Sequence, residues 1–542
     1  MVRPVTGPAA RRRRADAAGV ALLAALAAAM ALRVGDHAID DFFITYRYAE
    51  NLASGHGLVF DPGERVFGTT APGLALLLAA LRVLTRLPVP VLGTVTTFAA
   101  IVATAAIVFV QGRRRGRGPE ALAGGALVAT STYAWVHNGA DVFVVLALLA
   151  AAATLAARRT ATADATAGLV AGYAAWCRPD AVLGIGVLGL LEWARRRRLP
   201  RAYGFAAAAT LAAGLLAAEA WFGRFLPATL EAKRLQAAWL PWVWPSGADF
   251  WPAAVRLLVD HAAGAALAPL VVVGLAGLPV AIRRGGPALR LLVLYAVLQA
   301  ASYPLLGVAL YAWYLLPALV ALAYGTAFAA GAAGRSTRRF FGARAGAAVP
   351  GALVAALLVA PVGLETGRRV WRMINAPYVE ARLEDYRRAG LWLRRHTAPD
   401  QVVATVEVGS LGFYSRRPIH DVMGLVSPEA LPHIARGDQA GALASGAPDV
   451  FLVYAPHEPF LGAVTDTERF AAGWCELARL PGHEELVVYG RRVAGDGAPA
   501  GRPGCAASPE ESLRRGSART RSRSQTQTLG SPRSGAPHAA SK

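Results

Sequence analysis

The stretch VPVLGTVTTFAAIVATAAIVFV at residues 89–110, followed by QGRRRGR at residues 111–117, decides the fold class. An α-helix needs about 20 predominantly apolar residues to cross the ~30 Å hydrocarbon core of a bilayer, and residues 89–110 meet that length. The arginines that follow are typical of a helix end on the cytoplasmic side, where basic residues collect. This segment is therefore predicted to be a transmembrane helix.

The same pattern recurs along most of the chain. Further apolar blocks lie at residues 17–32, 121–136, 141–157, 203–222, 262–282, 289–308, 311–333 and 345–364. Residues 71–87 form a shorter segment that contains Pro72, so we interpret 71–111 as one net crossing with a half-inserted piece. Hydropathy and loop charge then predict a mostly α, polytopic transmembrane helix bundle of about 11 spans within residues 17–365.

Composition and charge support a membrane location. The chain is 55% hydrophobic and 17% charged, with a mean hydropathy of +0.39. Its net charge of +21 resides in short basic runs at the ends of apolar blocks, without a soluble scaffold, so nucleic acid is not an expected partner. We predict a multi-pass protein of the inner (plasma) membrane, in contact with lipid, with a cytoplasmic basic N-terminus at residues 1–16 and an external loop at 35–70.

The C-terminal third differs in character. In residues 375–493, charged residues become frequent and short β-like runs alternate with helical stretches such as 381–396, which predicts a small extracytoplasmic α/β domain. Residues 496–542 are rich in Gly, Pro, Ser and Arg and are predicted to be a disordered tail. Cys177, Cys475 and Cys505 show no metal-ligand spacing and imply no disulfide framework.

The first external loop contains the polar run DDFFITYRYAENLASGHGLVFDPGERV at residues 40–66. Asp40 and Asp41 come directly after a span, where a charged residue is a functional candidate. Ile44, Tyr48 and Leu52 recur at helical spacing. This predicts an amphipathic helix that returns along the membrane surface and holds the two carboxylates.

In this run the chain resembles the membrane-embedded glycosyltransferases of the C superfamily, which use polyprenyl-phosphate sugars, and most of all the terminal β-(1→2)-arabinofuranosyltransferase group. The resemblance covers about residues 20–490. Shorter matching motifs follow in order at residues 138–141, 178–180, 222–233, 313–317 and 409–425. Three positions depart from the pattern of the group, which usually has Glu at the positions of Phe67 and Asp141 and Asn at that of Ala228.

Transfer of a sugar from a lipid phosphate needs a base on the acceptor hydroxyl and cations on the departing phosphate. A phosphate leaves as a stable anion, so no strong general acid is required. We predict Asp41 or Asp40 as the base, and the residues leave the choice open. Arg47, Arg178 and Lys233 are the candidates for binding phosphate.

Tyr48 and Asp141 complete the predicted substrate-binding set. No metal ligands and no certain cofactor are assigned, although an Asp-Asp pair is compatible with a divalent cation. The predicted function is transfer of a sugar, with arabinofuranose implied by the resemblance, from a polyprenyl-phosphate donor to an envelope glycan or glycolipid on the external face. The alternative is a transporter or flippase of lipid-linked saccharide, which would be expected to show internal repeats and interrupted helices.

Overall fold

The structure is a computed structural model that describes residues 8–239, 245–261, 268–341, 381–454, 458–482 and 485–492. An N-terminal helical part precedes a C-terminal domain with a sheet. The helices of the first part are α1 Pro8–Val34, α2 Asp40–Ala53, α3 Pro72–Thr85, α4 Val89–Arg114, α5 Gly118–Ala129, α6 Thr132–Val136, α7 Asp141–Ala156, α8 Ala161–Cys177, α9 Ala181–Arg196, α10 Arg201–Phe222, α11 Thr229–Trp239, α12 Phe250–His261, α13 Ala268–Arg284, α14 Pro287–Leu306 and α15 Leu316–Phe341.

Five helices over the described residues are long and apolar enough to cross a membrane. They cover Ala9–Val34, Val89–Arg114, Arg201–Phe222, Pro287–Leu306 and Ala312–Ser336. These helices indicate a multi-pass membrane protein. The number of about 11 crossings stays a prediction, because other apolar helices are shorter and the predicted span 345–364 lies outside the described residues.

One local expectation changes in the structure, and another agrees with it. The block 121–136 was expected as one span, but it divides into α5 and α6. Ser131 accepts a hydrogen bond from the Ala134 N–H and so begins a new helix within an apolar run. Helix α3 has 14 residues, about 21 Å at 1.5 Å per residue, which is shorter than the hydrocarbon core and fits a half-inserted piece.

Ion pairs distinguish the two ends of the bundle. At one end, Arg196 of α9 binds Asp164 of α8 at 2.5 Å. At the opposite end of the same two helices, Arg178 binds Asp141, the first residue of α7, at 2.8 Å. The predicted external turns at 137–141 and 178–180 therefore lie together, at the end of the bundle opposite to the one that contains Arg196.

Helix α2 is enclosed, whereas the sequence predicted an amphipathic helix on the membrane surface. Residues 42–49 are all buried. α2 packs against α3 and α4 on one side and against Gly409–Ser415 of the C-terminal domain on the other. The ring of Phe43 lies 5.4 Å from that of Phe413. The prediction was wrong about the environment because the polar face of α2 is covered by another domain, which helical periodicity cannot show.

The C-terminal domain is a mixed five-stranded sheet in the order β2-β1-β3-β5-β4, with β1 parallel to β2 and β3 and with β5 antiparallel to β3 and β4. The β-like runs predicted from the sequence lie at residues 401–408, 449–454 and 485–489, and they contain all or most of β1, β3 and β5. The helix 381–396 was predicted as well, whereas β2 and β4 were not. The elements are α16 Ala381–His396, β1 Val403–Thr405, α17 Gly409–Ser415, β2 Ile419–Asp421, α18 Leu431–Ile434, α19 Gln439–Ala444, β3 Val450–Tyr454, α20 Glu458–Thr465, α21 Glu468–Gly473, β4 Trp474–Leu480 and β5 Leu486–Arg491.

The two cysteines within the described residues differ in oxidation state. Cys475 on β4 is disulfide-bonded, whereas Cys177 at the end of α8 is a buried free thiol. The cysteine count implied no disulfide framework, so this bond corrects that expectation. Spacing alone could not reveal it, because a disulfide depends on which residues the fold brings together.

Candidate active site

A cleft lies where α2, α7, α11 and the C-terminal domain meet. It holds two carboxylates, one ammonium and several hydroxyl groups among apolar side chains. Its lining residues are Asp41, Phe42, Ile44, Thr45, Gly68, Thr69, Thr70, Asp141, Thr229, Lys233, Trp313 and Leu425. Of the predicted site residues, the structure brings Asp41, Asp141 and Lys233 into this cleft.

Asp41 and Lys233 face one another in the cleft. The Asp41 Oδ2 lies 3.9 Å from the Lys233 Nζ, and the two side chains are 24% and 11% exposed. The residual exposure leaves the carboxylate reachable by a small polar group. A carboxylate and an ammonium are thus set next to each other at the same opening.

Three aromatic rings enclose the Lys233 ammonium. The Nζ lies 4.1 Å from the ring centre of Tyr311, 5.5 Å from that of Trp313 and 5.6 Å from that of Tyr314. The faces of aromatic rings attract cations, so these contacts hold the ammonium in place at the cleft. A lysine at such a position in a membrane protein could instead extend its ammonium to the membrane interface. The Lys233 side chain is buried in the cleft and does not do so.

Asp40 lies beside Asp41 but does not line the cleft. Its carboxylate is buried and accepts hydrogen bonds from the N–H groups of Gly409, at 2.8 Å, and Ser410, at 2.7 Å. Burial, together with the charges of Glu407 and Asp41, raises the pKa of Asp40 well above its usual range, although the two N–H groups favour the charged form. Asp40 therefore connects α2 to the start of α17.

Arg47 and Tyr48 are likewise engaged away from the cleft. The Arg47 guanidinium forms an ion pair with Asp61 and donates to the carbonyls of Phe60 and Arg417. The Tyr48 hydroxyl donates to the Val66 carbonyl and accepts from the Gly68 N–H. Both residues hold the loop after α2 in shape, and the structure does not place either one at the cleft opening.

Arg178 forms a buried network behind the cleft. Its guanidinium binds Asp141 at 2.8 Å, Asp180 at 2.9 Å and the hydroxyl of Tyr303 at 2.7 Å. The Tyr295 hydroxyl donates to Asp180 as well. With its donors used in this way, Arg178 holds the Asp141 carboxylate at the cleft wall and does not line the cleft itself.

Sequence reasoning did not single out Glu407. Carboxylate oxygens of Asp40, Asp41 and Glu407 lie within 4.8 Å of one another. Oxygen donors of this kind suit a hard divalent cation, and these three residues would hold one. Glu407 lies in the C-terminal domain, about 370 positions away in sequence, so the signal that could have found it is the 409–425 motif directly after it.

Two of the three departures from the family pattern touch one another. The Ala228 N–H donates to the Phe67 carbonyl at 3.0 Å, and the Phe67 ring stacks on that of Phe222 at 4.5 Å. The third departure, Asp141, lines the same cleft. Phe67 and Ala228 directly precede the cleft residues Gly68 and Thr229, so all three departures lie in the cleft lining or next to it.

A turn of the C-terminal domain supplies Leu425 to the cleft wall. The Asp421 carboxylate accepts from the N–H groups of Met423, at 2.8 Å, and Val426, at 3.0 Å. Burial raises the pKa of Asp421 to about 6. The neighbouring His420 is buried, and its ring nitrogens contact Glu429 and the Ala442 carbonyl.

We expect the domain to be more stable at mildly acidic pH. Burial opposes the charge on His420, but the hydrogen bonds to Glu429 and Ala442 raise the pKa of this residue overall. Because the pKa of each residue is raised, each one binds its proton more tightly in the folded state than in the unfolded chain. The stability that protonated Asp421 contributes to the folded domain is lost as pH rises through about 6, and the stability that protonated His420 contributes is lost as pH rises above about 6.5.

Hydrogen exchange of full-length protein between pH 5 and 8, corrected for intrinsic rates, measures this effect. Protection of residues 403–454 should decline as pH rises, and His420→Gln should flatten the upper part of the profile. The half-exposed His433 provides the control, because His433→Gln removes a histidine of the same domain without touching the turn. Protection that increases with pH in the unmodified protein would contradict the assignment.

Comparisons with known proteins bear on the fold. Residues 375–497 match a family described as a domain of unknown function, DUF8728. No curated protein sequence matches the chain. Among solved structures, ArnT from Cupriavidus metallidurans bound to undecaprenyl phosphate is 14% identical, with a TM-score of 0.52 over 89% of this chain and 99% of ArnT.

Two structures from Archaeoglobus fulgidus are similar as well. The oligosaccharyltransferase in its apo form is 12% identical, with a TM-score of 0.54 over 82% of this chain and 70% of that one. The oligosaccharyltransferase AglB in complex with an inhibitory peptide and a dolichol-phosphate is 10% identical, with a TM-score of 0.50 over 90% and 75%. This chain shares their fold. The membrane-helical fold expected from the C-superfamily resemblance is thereby confirmed.

Proposed function

We propose that the protein transfers a sugar from a polyprenyl-phosphate donor to an acceptor hydroxyl, with Asp41 as the general base. The observation that carries the proposal is the Asp41–Lys233 pair, which places a carboxylate and a caged ammonium 3.9 Å apart in one cleft. These are the two groups that such a transfer requires, a proton acceptor for the nucleophile and a cation for the leaving phosphate.

The reaction balances with these groups alone. The acceptor oxygen forms a bond to the anomeric carbon of the sugar, while the bond from that carbon to the phosphate oxygen breaks and its electron pair stays on the phosphate. Asp41 takes the acceptor proton, and Lys233 faces the phosphate as it gains charge. Asp141, held by Arg178 at the cleft wall, is set to accept hydrogen bonds from sugar hydroxyls.

Lipid phosphates fit the fold. The similar ArnT and AglB structures contain undecaprenyl phosphate and a dolichol-phosphate, which are phosphates on long apolar tails. By its apolar helices this chain is a membrane protein, in which such a tail can remain in the bilayer while its phosphate reaches the cleft.

The sugar and the acceptor are proposed from the sequence. The resemblance supports arabinofuranose as the sugar and a cell-envelope glycan or glycolipid as the acceptor. We also propose that the cleft and the C-terminal domain lie on the external face of the inner membrane. The disulfide at Cys475 supports this placement, because disulfides persist mainly outside the cytoplasm.

The proposal is tested with purified full-length protein in detergent, given a panel of polyprenyl-phosphate sugars and glycan acceptors. We expect one donor, with a polyprenyl-phosphate arabinofuranose first in line, to yield a new glycoside and free polyprenyl phosphate. If no donor in the panel is consumed, the transferase proposal fails, and the transporter or flippase becomes the leading function.

Lys233→Ala should weaken donor binding. The variant removes a charge-assisted contact of about 1.5–3 kcal/mol with the phosphate, which corresponds to roughly 10- to 150-fold in affinity. Equilibrium binding of the donor measures the loss. Lys233 has an exposed neighbour, Arg234, whose substitution by Ala removes one positive charge outside the cleft and should leave donor affinity unchanged. If both variants lose donor affinity equally, the effect comes from the overall charge of the protein and not from a contact in the cleft.

A further inference from the structure

Thr229 is the first residue of α11, and it lines the cleft. It is only 4% exposed, yet its hydroxyl has no hydrogen-bond partner within the described part of the chain. Buried polar groups are nearly always paired, and leaving one unpaired destabilises the fold. An unpaired buried hydroxyl in the wall of a cleft therefore points to a ligand that accepts its hydrogen bond.

The start of α11 adds backbone donors at the same place. The first N–H groups of an α-helix have no carbonyl partner within the helix, and a Ser, Thr, Asp or Asn at the preceding position commonly accepts one of them. That position is Ala228, which has no polar side-chain atom. The N-terminal end of a helix also carries partial positive charge, so it favours an anion.

Lys233 follows one helical turn later. Residues four apart lie on one face of a helix, so Thr229 and Lys233 present a hydroxyl and an ammonium to the cleft together. We propose that this Thr229–Lys233 face binds the phosphate of the lipid-linked donor, with the Thr229 hydroxyl as a direct ligand. The inference rests on the proposed function and adds Thr229 as a binding residue.

Charge favours contact of the phosphate with Thr229 and Lys233. Asp41 and Asp141 also line the cleft, and their carboxylates repel an anion. The phosphate competes with Asp41 for the Lys233 ammonium, so its arrival draws that cation away from the base.

The proposed contact strengthens during the reaction. The donor is a phosphodiester with one negative charge, and the product is a phosphate monoester that gains a second. The Thr229 hydroxyl donates a hydrogen bond to the oxygen that receives the electron pair and keeps its own proton. The hydrogen bond from Thr229 should therefore bind the released lipid phosphate more strongly than it binds the donor.

The test measures binding of undecaprenyl phosphate to the full-length protein in detergent. Thr229→Val removes the hydroxyl with little change in shape, and we expect about 10- to 100-fold weaker binding. Thr229→Ser should recover most of the affinity. Thr166→Val, which alters an exposed threonine of α8 away from the cleft, is the matched control. Thr229→Ala is a second hydroxyl-free variant, should valine prevent folding.

Inorganic phosphate in a second set of titrations separates a lipid headgroup from free phosphate. Undecaprenyl phosphate should bind far more tightly, and only its binding should depend on Thr229 at micromolar concentrations. Unchanged affinity for undecaprenyl phosphate in folded Thr229→Val and Thr229→Ala would overturn the inference while the transferase proposal stands. Equal, Thr229-dependent binding of inorganic phosphate would overturn the assignment to a lipid headgroup. If the unmodified protein does not bind undecaprenyl phosphate at all, the proposed function itself fails.

Discussion

Asp41→Asn should lower turnover by about 10²–10⁴-fold, the usual contribution of a positioned general base. Asparagine keeps the size of the side chain and its hydrogen bonds, but it cannot take the acceptor proton. Binding of undecaprenyl phosphate should persist, because Thr229 and Lys233 remain. Steady-state turnover, measured beside equilibrium binding of the lipid phosphate, separates the two effects.

Asp40→Asn is the matched comparison, since it makes the same chemical change at the adjacent position. Asp40 binds the N–H groups of Gly409 and Ser410, so its replacement should loosen the C-terminal domain on α2. Any loss of turnover should then come with faster hydrogen exchange in α17, which Asp41→Asn should not show. Normal turnover in Asp41→Asn would move the base elsewhere, with Asp141 as the next candidate in the cleft.

Arg178→Ala should destabilise the protein by about 3–5 kcal/mol, because it leaves the carboxylates of Asp141 and Asp180 buried beside an empty space. Thermal unfolding of the full-length protein in detergent measures this change. Arg82→Ala is the control. Its ion pair with Glu50 is partly exposed, so the loss should be at most about 1 kcal/mol. Similar losses in the two variants would contradict the view that Arg178 holds a buried network.

The sequence predicted the membrane-spanning part of the fold because hydropathy and basic helix ends are local properties. Residues 89–110 and 203–222 lie within helices that meet the length and composition of a span. The division of the block 121–136 was missed, since it depends on a single capping residue, Ser131. Strand β4 is only partly buried and mixes charged with apolar side chains, so it gave a weak pattern.

The candidate site was predictable in its residue types but not in their arrangement. Consecutive residues on a helix point about 100° apart, and of Asp40 and Asp41 only Asp41 lines the cleft. Which one does so depends on where the C-terminal domain packs, and that contact joins residues about 370 positions apart. Arg47 and Lys233 are both cations in matching motifs, so the sequence does not distinguish them. In the structure, Arg47 pairs with Asp61 and holds the loop after α2, whereas the Lys233 ammonium lies in the cleft.

The central claim is that the cleft breaks the bond between sugar and lipid phosphate. It is tested most directly in proteoliposomes that contain the full-length protein, a labelled polyprenyl-phosphate sugar and an acceptor. We predict that each new glycosidic bond appears with one molecule of free polyprenyl phosphate, and that Asp41→Asn lowers the rates of both together. Recovery of intact donor that has only moved from one leaflet to the other, in the unmodified protein and in Asp41→Asn alike, would contradict the account.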